Sequence, residues 1–256
     1  MRFRRQGLPD DTERLIEGYI SHWRHLDVGE QDRLLALTDW LLRRKHWEAA
    51  RAFRLDDTIR VVIAVQAALL ILGLSTDHYR FVSAVIVHPS ATVARGERAG
   101  PVPGTVTDGI IPIHGLAQGR SGPVVIAWDQ ALAGARHPER GHNVVFHEFA
   151  HKLDMLDGDA DGAPPLGRAQ LREWEQICTA VFDDLQAGRP RPPLRPYGSV
   201  NRAEFFAVAT EAFFDQPVEL ATREPDLYRV LADFYRQDPG ARVQRGRGPG
   251  SSAGLR

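Results

Sequence analysis

Two histidines and a glutamate form the pattern in this sequence with the clearest chemical potential. His147-Glu148-x-x-His151 lies within the apolar segment 143–151. Histidines four residues apart share one face of a helix, with β-carbons about 5–6 Å apart, so both imidazoles can reach one zinc ion at roughly 2 Å. Glu148 lies beside that face, where it can take a proton from a zinc-bound water whose pKa is about 7. The motif therefore predicts a catalytic zinc site with Glu148 as the general base.

The third protein ligand of such a site must come from elsewhere in the chain, because a catalytic zinc has three protein ligands and keeps one position for water. Asp157 follows His151 by six residues, and Glu204 follows it by 53. Asp157 would require a sharp turn after the motif helix, for which a glycine is suited, but the chain has Asp154 there. Glu204 and Glu211 share one face of a predicted helix rich in Phe and Ala, where carboxylates need a cation or a donor. We therefore expect Glu204 to be the third ligand and Glu211 to accept a hydrogen bond from a histidine N–H.

The acidic stretch after the motif allows two further interpretations. Asp154 and Asp157 are expected either to support the zinc ligands from behind or to cap the turn that ends the motif helix. The stretch 154–162 also resembles a calcium loop, but it lacks the glutamate and the spacing of an EF-hand. We therefore do not predict a calcium site.

Two helices must position these residues. Apolar periodicity predicts a motif helix over residues 142–155 and a ligand helix over residues 202–214, the latter with Asn201 as its N-cap. Other predicted helices span residues 12–21, 30–50, 58–72, 168–185 and 225–236, and Asp56 or Asp57 can cap the third helix of the chain. Residues 81–88 and 122–128 are predicted strands, Asp129 is a potential cap for a short helix, and residues 99–118 could hold one or two edge strands.

The order of these elements predicts an α+β fold that is mainly helical, with a small mixed β-sheet. The chain of 256 residues is long enough for one large domain. We predict an N-terminal arm over residues 1–11, one domain over residues 12–240 and a disordered tail over residues 241–256, where apolar periodicity is lost.

Composition limits the partners and the compartment. A net charge of -1 gives no electrostatic basis for binding nucleic acid or an acidic membrane directly. Cys178 is the only cysteine, which excludes an internal disulfide and a cysteine-rich zinc site. The basic start of the chain lacks an apolar signal core, and the apolar stretch 61–74 is shorter than the roughly 20 residues of a membrane helix. We therefore predict a cytoplasmic location.

The residues around the motif resemble those of the Mlc titration factor A family of bacterial zinc peptidases. The resemblance covers about residues 12–240 and is carried by HEFAHKLDMLDG at 147–158 and YGSVNRAEFFAVATEAFF at 197–214. It implies a zincin-like fold and a zinc ion bound by His147, His151 and Glu204. The catalytic core of that family is also similar to the peptidase domain of anthrax lethal factor, in which a tyrosine seven residues before the third ligand assists the reaction. The matching residue here is Tyr197, which could donate a hydrogen bond to the developing oxyanion.

The resemblance also implies an activity and a partner. Members of the family hydrolyse small peptide substrates like aminopeptidases, and they are named for binding the glucose repressor Mlc. We therefore expect a zinc metallopeptidase with one Zn²⁺ per chain, a peptide substrate and a second role as partner of a Mlc-type repressor. The alternative is a protein without catalytic activity that sequesters a repressor and has a structural zinc. Glu148 and Tyr197 argue against that alternative, because a structural site is usually closed by four protein ligands and needs no base.

Overall fold

The structure is a computed structural model that describes residues 8–50, 53–90, 98–99, 106–107 and 120–246. Within these ranges the chain is mainly helical and has two small sheets, which confirms the predicted fold class. The α-helices are α1 Thr12–Tyr19, α2 Val28–Arg44, α3 Asp57–Leu70, α4 Trp128–Arg136, α5 Val144–Asp154, α6 Arg168–Gln186, α7 Arg202–Asp215, α8 Pro217–Arg223, α9 Pro225–Tyr235 and α10 Pro239–Gly246. The strands are β1 His46–Ala49, β2 Ala84–His88, β3 Arg98–Ala99, β4 Val106–Thr107 and β5 Val124–Ala127. Short 3₁₀ turns span Ser21–His25, Thr76–Tyr79, Pro138–Arg140 and Pro196–Ser199.

The larger sheet has the strand order β1-β2-β5, and all of its strands are parallel. Ala84 pairs with His46, and Val85 pairs with Val124. The described strands of this sheet are therefore parallel rather than mixed as predicted, and the antiparallel pair β3-β4 forms a separate sheet. The two short strands of that pair lie at and after residue 98, close to the range 99–118 predicted to hold edge strands.

Helix α3 forms the centre of the core. Asp56 caps it by accepting a hydrogen bond from the backbone N–H of Ile59 at 3.0 Å, as predicted. Its side chains are buried almost all round, including that of Gln66. Helix α5 packs against α3, α4, α7 and β5, so the motif helix is surrounded by core elements. The motif residues therefore lie on a rigid internal element and not on a loop.

The predicted helix over residues 30–50 is wrong in its last turn. Helix α2 ends at Arg44, and His46–Ala49 form strand β1 beside β2. The backbone N–H of His46 donates to Ser83 O at 3.0 Å, which begins the pairing. Trp47 and Ala49 also fit a helical period, and only a partner nearly 40 residues along the chain selects the extended form.

Two other boundaries differ from the predictions. Ala127 is the N-cap of α4 and Asp129 lies inside its first turn, so Asp129 does not cap that helix. The chain continues as helix α10 up to Gly246, which corrects the predicted disorder over residues 241–246. Arg242 holds α10 in place, because its guanidinium binds Glu30 Oε1 and Gln237 Oε1. The rest of the predicted tail and most of the predicted arm lie outside the described residues, and the division into arm, domain and tail stays a prediction.

In the part of the chain that the structure describes, no helix has the length and apolar character needed to cross a membrane.

Candidate metal centre

Helix α5 presents the two motif histidines at its centre. Asn143 caps the helix, with its side-chain oxygen accepting from Val145 N and Phe146 N, each at 3.1 Å. Its amide nitrogen donates to Gln66 Oε1 at 3.0 Å, which ties the start of α5 to α3. One turn farther on, His147 and His151 lie with their ring centroids 4.8 Å apart and their Nε2 atoms 3.2 Å apart. Both imidazoles therefore direct their Nε2 atoms into one small space.

Helix α7 brings Glu204 to that space. Asn201 begins the helix by accepting a hydrogen bond from Glu204 N at 2.9 Å. Glu204 Oε2 lies 3.0 Å from His147 Nε2 and 3.7 Å from His151 Nε2. In the described part of the chain, these three residues are the group of histidines and acids whose atoms could hold a metal ion together.

The three ligand atoms have the spacing that a zinc ion requires. A triangle with sides of 3.0, 3.2 and 3.7 Å has a circumscribed radius of about 1.9 Å, just under zinc bond lengths of about 2.0–2.2 Å. A point at zinc-bond distance from all three atoms therefore lies just outside their plane. Two imidazoles and one carboxylate are also a ligand set that zinc accepts. The residues present fit the metal.

Without an ion, these side chains can interact only through protons. Burial alone would lower the pKa of His147, yet hydrogen bonds with Glu204 and Glu211 raise it to about 10. Burial acts on Glu204 in the opposite direction, but its close contacts with the imidazoles of His147 and His151 hold its pKa well below the usual range. A metal ion would take the place of the shared proton, because metal-binding histidines must be neutral.

Glu211 lies behind His147, as the sequence predicts for a second acceptor. Its side chain is completely buried, and its Oε1 lies 2.8 Å from His147 Nδ1. Asn143 N donates to its Oε2 at 2.6 Å, and the Arg195 guanidinium binds Oε1. With Nδ1 donating to this carboxylate, Nε2 of His147 is left to face the ligand space.

Glu148 and Tyr197 lie beside the three ligands. Glu148 is buried, and its negative charge acts to raise the pKa of His147 and of Tyr197. Tyr197 lies in the 3₁₀ turn Pro196–Ser199, with its ring centroid 6.0 Å from that of His147. Burial together with the charges of Glu204 and Glu148 raises the pKa of Tyr197 to about 12, so the phenol keeps its proton at neutral pH.

Asp154 has a structural role in the turn after α5. Both of its carboxylate oxygens accept from Gly162 N, at 3.0 and 3.1 Å, and burial raises its pKa to about 7. The carboxylate therefore caps the turn, which is the second of the two roles that the sequence predicts for Asp154, rather than supporting the zinc ligands. Asp157 is exposed and is absent from the ligand group that the described residues form.

Gly162 brings this turn against the start of helix α7. Its φ of 81° is in the left-handed region, and its carbonyl accepts from Trp174 Nε1 at 3.0 Å. A β-carbon at this position would lie 2.3 Å from Arg202 O, which is too close for any side chain. The turn after the motif helix is therefore in direct backbone contact with the first residue of α7.

Sequence reasoning missed two residues of the centre. Asparagine is a favoured N-cap residue, and Asn143 directly precedes the motif helix, so its capping role could have been predicted from the sequence. Arg195 gave no comparable signal, since it is one of three arginines in the proline-rich loop 188–196. Only the folded chain distinguishes it, because it alone of the three contacts Glu211 among the bonds the described residues show.

A cavity of about 350 Å³ lies apart from these residues. It is lined by Gly162, Trp174, Cys178, Phe182, Arg202 and Phe205, among others, and it contains none of the five ligand and acid–base candidates. On α7, Arg202 and Phe205 lie roughly opposite Glu204 and Glu211, given 3.6 residues per turn. The metal centre and this cavity therefore occupy different sides of one helix.

Comparison with known proteins agrees with a metal-binding role for these residues. The sequence profile of the glucose-regulated metallo-peptidase M90 family matches residues 1–236. An uncharacterized protein of Synechocystis is 33% identical over 236 residues, which are 91% of this chain and 86% of that protein. The Mlc titration factor A of Serratia proteamaculans is 32% identical over 86% of this chain and 85% of its own length, and that of Pectobacterium atrosepticum is 33% identical over 88% and 89%. The chain therefore belongs to the glucose-regulated metallo-peptidase M90 family.

Proposed function

We propose that this protein is a zinc metallopeptidase whose zinc is bound by His147, His151 and Glu204. The observation that carries the proposal is the triangle of three ligand atoms with sides of 3.0–3.7 Å. Three protein ligands leave a fourth zinc position for water, which is the arrangement of catalytic sites. Zinc bound there would lower the pKa of that water to about 7 and polarise the scissile carbonyl.

The surrounding side chains can carry out the proton transfers of peptide hydrolysis. Glu148 follows the first ligand directly, and we propose that it removes a proton from the attacking water and passes it to the leaving amine. His147 is kept in one tautomer by its Nδ1 contact with Glu211 at 2.8 Å. In this proposal Glu148, Glu204 and Glu211 have separate roles in proton transfer, metal binding and orientation.

Tyr197 is proposed to stabilise the oxyanion. Its ring lies close to His147, and its raised pKa of about 12 means that the phenol remains a donor at neutral pH. A hydrogen bond that strengthens as negative charge develops on the carbonyl oxygen lowers the barrier of the reaction. The same residue is 42% exposed, so a substrate can reach it.

The proposed substrate is a short peptide, cleaved in the manner of an aminopeptidase. Strand β5 supports this, because among the described strands it lies at the edge of the sheet β1-β2-β5, and it packs against α5. An extended peptide can add to such an edge through backbone hydrogen bonds and so lie beside the metal centre. A cytoplasmic location, expected from the single cysteine, belongs to the same proposal.

Binding of a Mlc-type repressor is a second proposed function. It rests on the name Mlc titration factor A, which relatives about one third identical to this chain bear. Such an interaction does not require a base beside the metal, so it can exist together with catalysis or without it.

The test is hydrolysis of amino-acid and short-peptide anilides by purified, zinc-loaded protein. We expect Glu148→Gln to bind one zinc per chain and to lose roughly 10²–10⁴-fold in kcat, the usual contribution of a general base. Glu175→Gln, an exposed change on α6, is the matched control and should leave kcat unchanged. Activity that survives Glu148→Gln would contradict the mechanism. Repressor binding that survives the same change would show that the two functions are independent.

A further inference from the structure

The carboxylate of Glu211 is held by three donors, two from the motif helix and its N-cap and one from a remote loop. His147 Nδ1 lies 2.8 Å away on the motif helix, and Asn143 N lies 2.6 Å away at the start of that helix. The third donor is the guanidinium of Arg195, in the loop between α6 and the turn that contains Tyr197. A completely buried carboxylate needs a compensating cation, and the Arg195 guanidinium supplies one.

Arg195 also fixes the surroundings of that carboxylate. Its Nε donates to Gly141 O at 3.1 Å, in the turn that precedes Asn143. Gly141 adopts the left-handed conformation with a φ of 59°, so this carbonyl has a definite direction. The planar guanidinium can bind the carbonyl and the carboxylate at the same time, which the ammonium of a lysine cannot do with the same geometry.

The backbone of Arg195 forms part of the turn that presents Tyr197. Gly198 N donates to Arg195 O at 3.0 Å, and Arg195 is the N-cap of the 3₁₀ turn Pro196–Ser199. One residue therefore links the start of the motif helix, the acceptor behind His147 and the turn of the proposed oxyanion donor. Its side chain is 26% exposed, so the guanidinium lies at the edge of the core.

We propose that Arg195 is a positioning residue whose guanidinium holds Glu211 against His147 Nδ1 and thereby sets the direction in which His147 Nε2 meets the metal. The proposal rests on the proposed function in one respect, namely that the three ligands bind a metal ion. The competing explanation is that Arg195 only anchors its own loop through Gly141. The two explanations differ in whether the effect of Arg195 depends on the Glu211 carboxylate.

A double-mutant cycle separates these explanations. Zinc dissociation constants are measured by competition with a chromophoric chelator for wild type, Arg195→Met, Glu211→Gln and the double variant. We expect Arg195→Met to weaken zinc binding by roughly 10–100-fold, as loss of an outer partner of a ligand does. In the Glu211→Gln background the same change should have almost no further effect. Equal losses in both backgrounds, or wild-type zinc binding by Arg195→Met, would overturn the proposal.

Two more variants control for folding and for charge. Arg191→Met is the matched control, because Arg191 lies in the same loop and pairs with Asp184 at 2.9 Å and Glu224 at 2.6 Å. It should not change the zinc dissociation constant. Arg195→Lys keeps the charge without the forked geometry, and we expect it to restore part of the affinity that Arg195→Met loses. If Arg195→Met does not fold, this Lys variant decides, since wild-type affinity in it would overturn a role for the fork.

Failure of the inference can be distinguished from failure of the proposed function. Wild-type protein that binds zinc but hydrolyses no peptide would contradict the proposed function, while the cycle of zinc affinities would still test Arg195. Protein that hydrolyses peptides and shows no coupling between Arg195 and Glu211 would contradict the inference alone. Wild-type protein that binds no zinc would overturn both.

Discussion

Helix α7 carries two carboxylate–histidine pairs one turn apart, and their surroundings differ. Glu211 Oε1 lies 2.8 Å from His147 Nδ1, and Asp215 Oδ1 lies 3.1 Å from His22 Nε2. Both carboxylates are completely buried. Glu211 also binds the guanidinium of Arg195, whereas burial raises the pKa of Asp215 to about 6 although its hydrogen bond with His22 acts in the opposite direction.

The imidazoles of the two pairs also differ in what their rings meet. The Nε2 atom of His147 faces His151 and Glu204, while the ring of His22 packs edge-on against Phe146 at 5.5 Å. Among the described residues, only the histidine of the first pair belongs to a group that could hold a metal. The two pairs therefore differ in that only the second ring nitrogen of His147 faces other residues that could bind a metal.

The largest expected effect comes from removing one carboxylate beside His147 and comparing it with removal of the carboxylate beside His22. Glu204→Ala should weaken zinc binding by more than about 100-fold, since loss of an outer partner alone costs 10–100-fold, and should abolish hydrolysis. Asp215→Asn should keep one zinc per chain. Metal analysis of both purified variants after dialysis is the measurement. Loss of zinc from Asp215→Asn, or its retention by Glu204→Ala, would show that the two regions do not differ as we describe.

A smaller effect is expected from Tyr197→Phe, which removes a hydroxyl beside His147 and leaves the three proposed metal ligands intact. We expect kcat to fall by roughly 10²–10³-fold, as when one oxyanion donor is lost, with zinc content unchanged. Tyr228→Phe is the matched control, because it also removes one tyrosine hydroxyl, which donates to Asp238 at 2.6 Å just before α10. Equal kcat values for Tyr197→Phe and wild type would remove Tyr197 from the mechanism.

The smallest expected effect is a pH dependence of the unfolding free energy, caused by Asp215 of the His22 pair. The folded pKa of Asp215, about 6, lies above its ordinary value of 3.8, so the folded protein binds more protons between these values. Its contribution to the free energy of unfolding is fully present below about pH 4 and is lost as the pH rises through about 6, with a size of up to about 3 kcal/mol.

Urea unfolding of metal-free wild type and Asp215→Asn between about pH 4 and 7 measures this contribution. As the pH rises, the unfolding free energy of wild type should fall relative to that of Asp215→Asn, because asparagine does not titrate. Parallel curves for the two proteins would contradict the raised pKa. A chelator in all samples ensures that acid-induced loss of metal does not enter the comparison.

The helices that carry His147, His151 and Glu204 were easier to predict from the sequence than the elements packed around them. His147, His151 and Glu204 lie in segments whose apolar periodicity and caps are local, so both helices could be placed to within a few residues. Strand β1 was missed because its pairing with β2 is set by a remote segment and not by its own residues. The pair of His22 and Asp215 joins residues almost 200 positions apart, and no local pattern indicates which buried histidine meets which acid.

The backbone contact at Gly162 bears on how a centre with remote ligands keeps its dimensions. Between His151 and Glu204 the chain runs through α6, yet the start of α7 returns so close to the turn after the histidines that no β-carbon fits at position 162. This contact ties the first residue of α7 to the turn after the motif helix. A methyl group at position 162 would collide with the carbonyl of Arg202, so we expect a side chain there to displace the start of α7, two residues before Glu204.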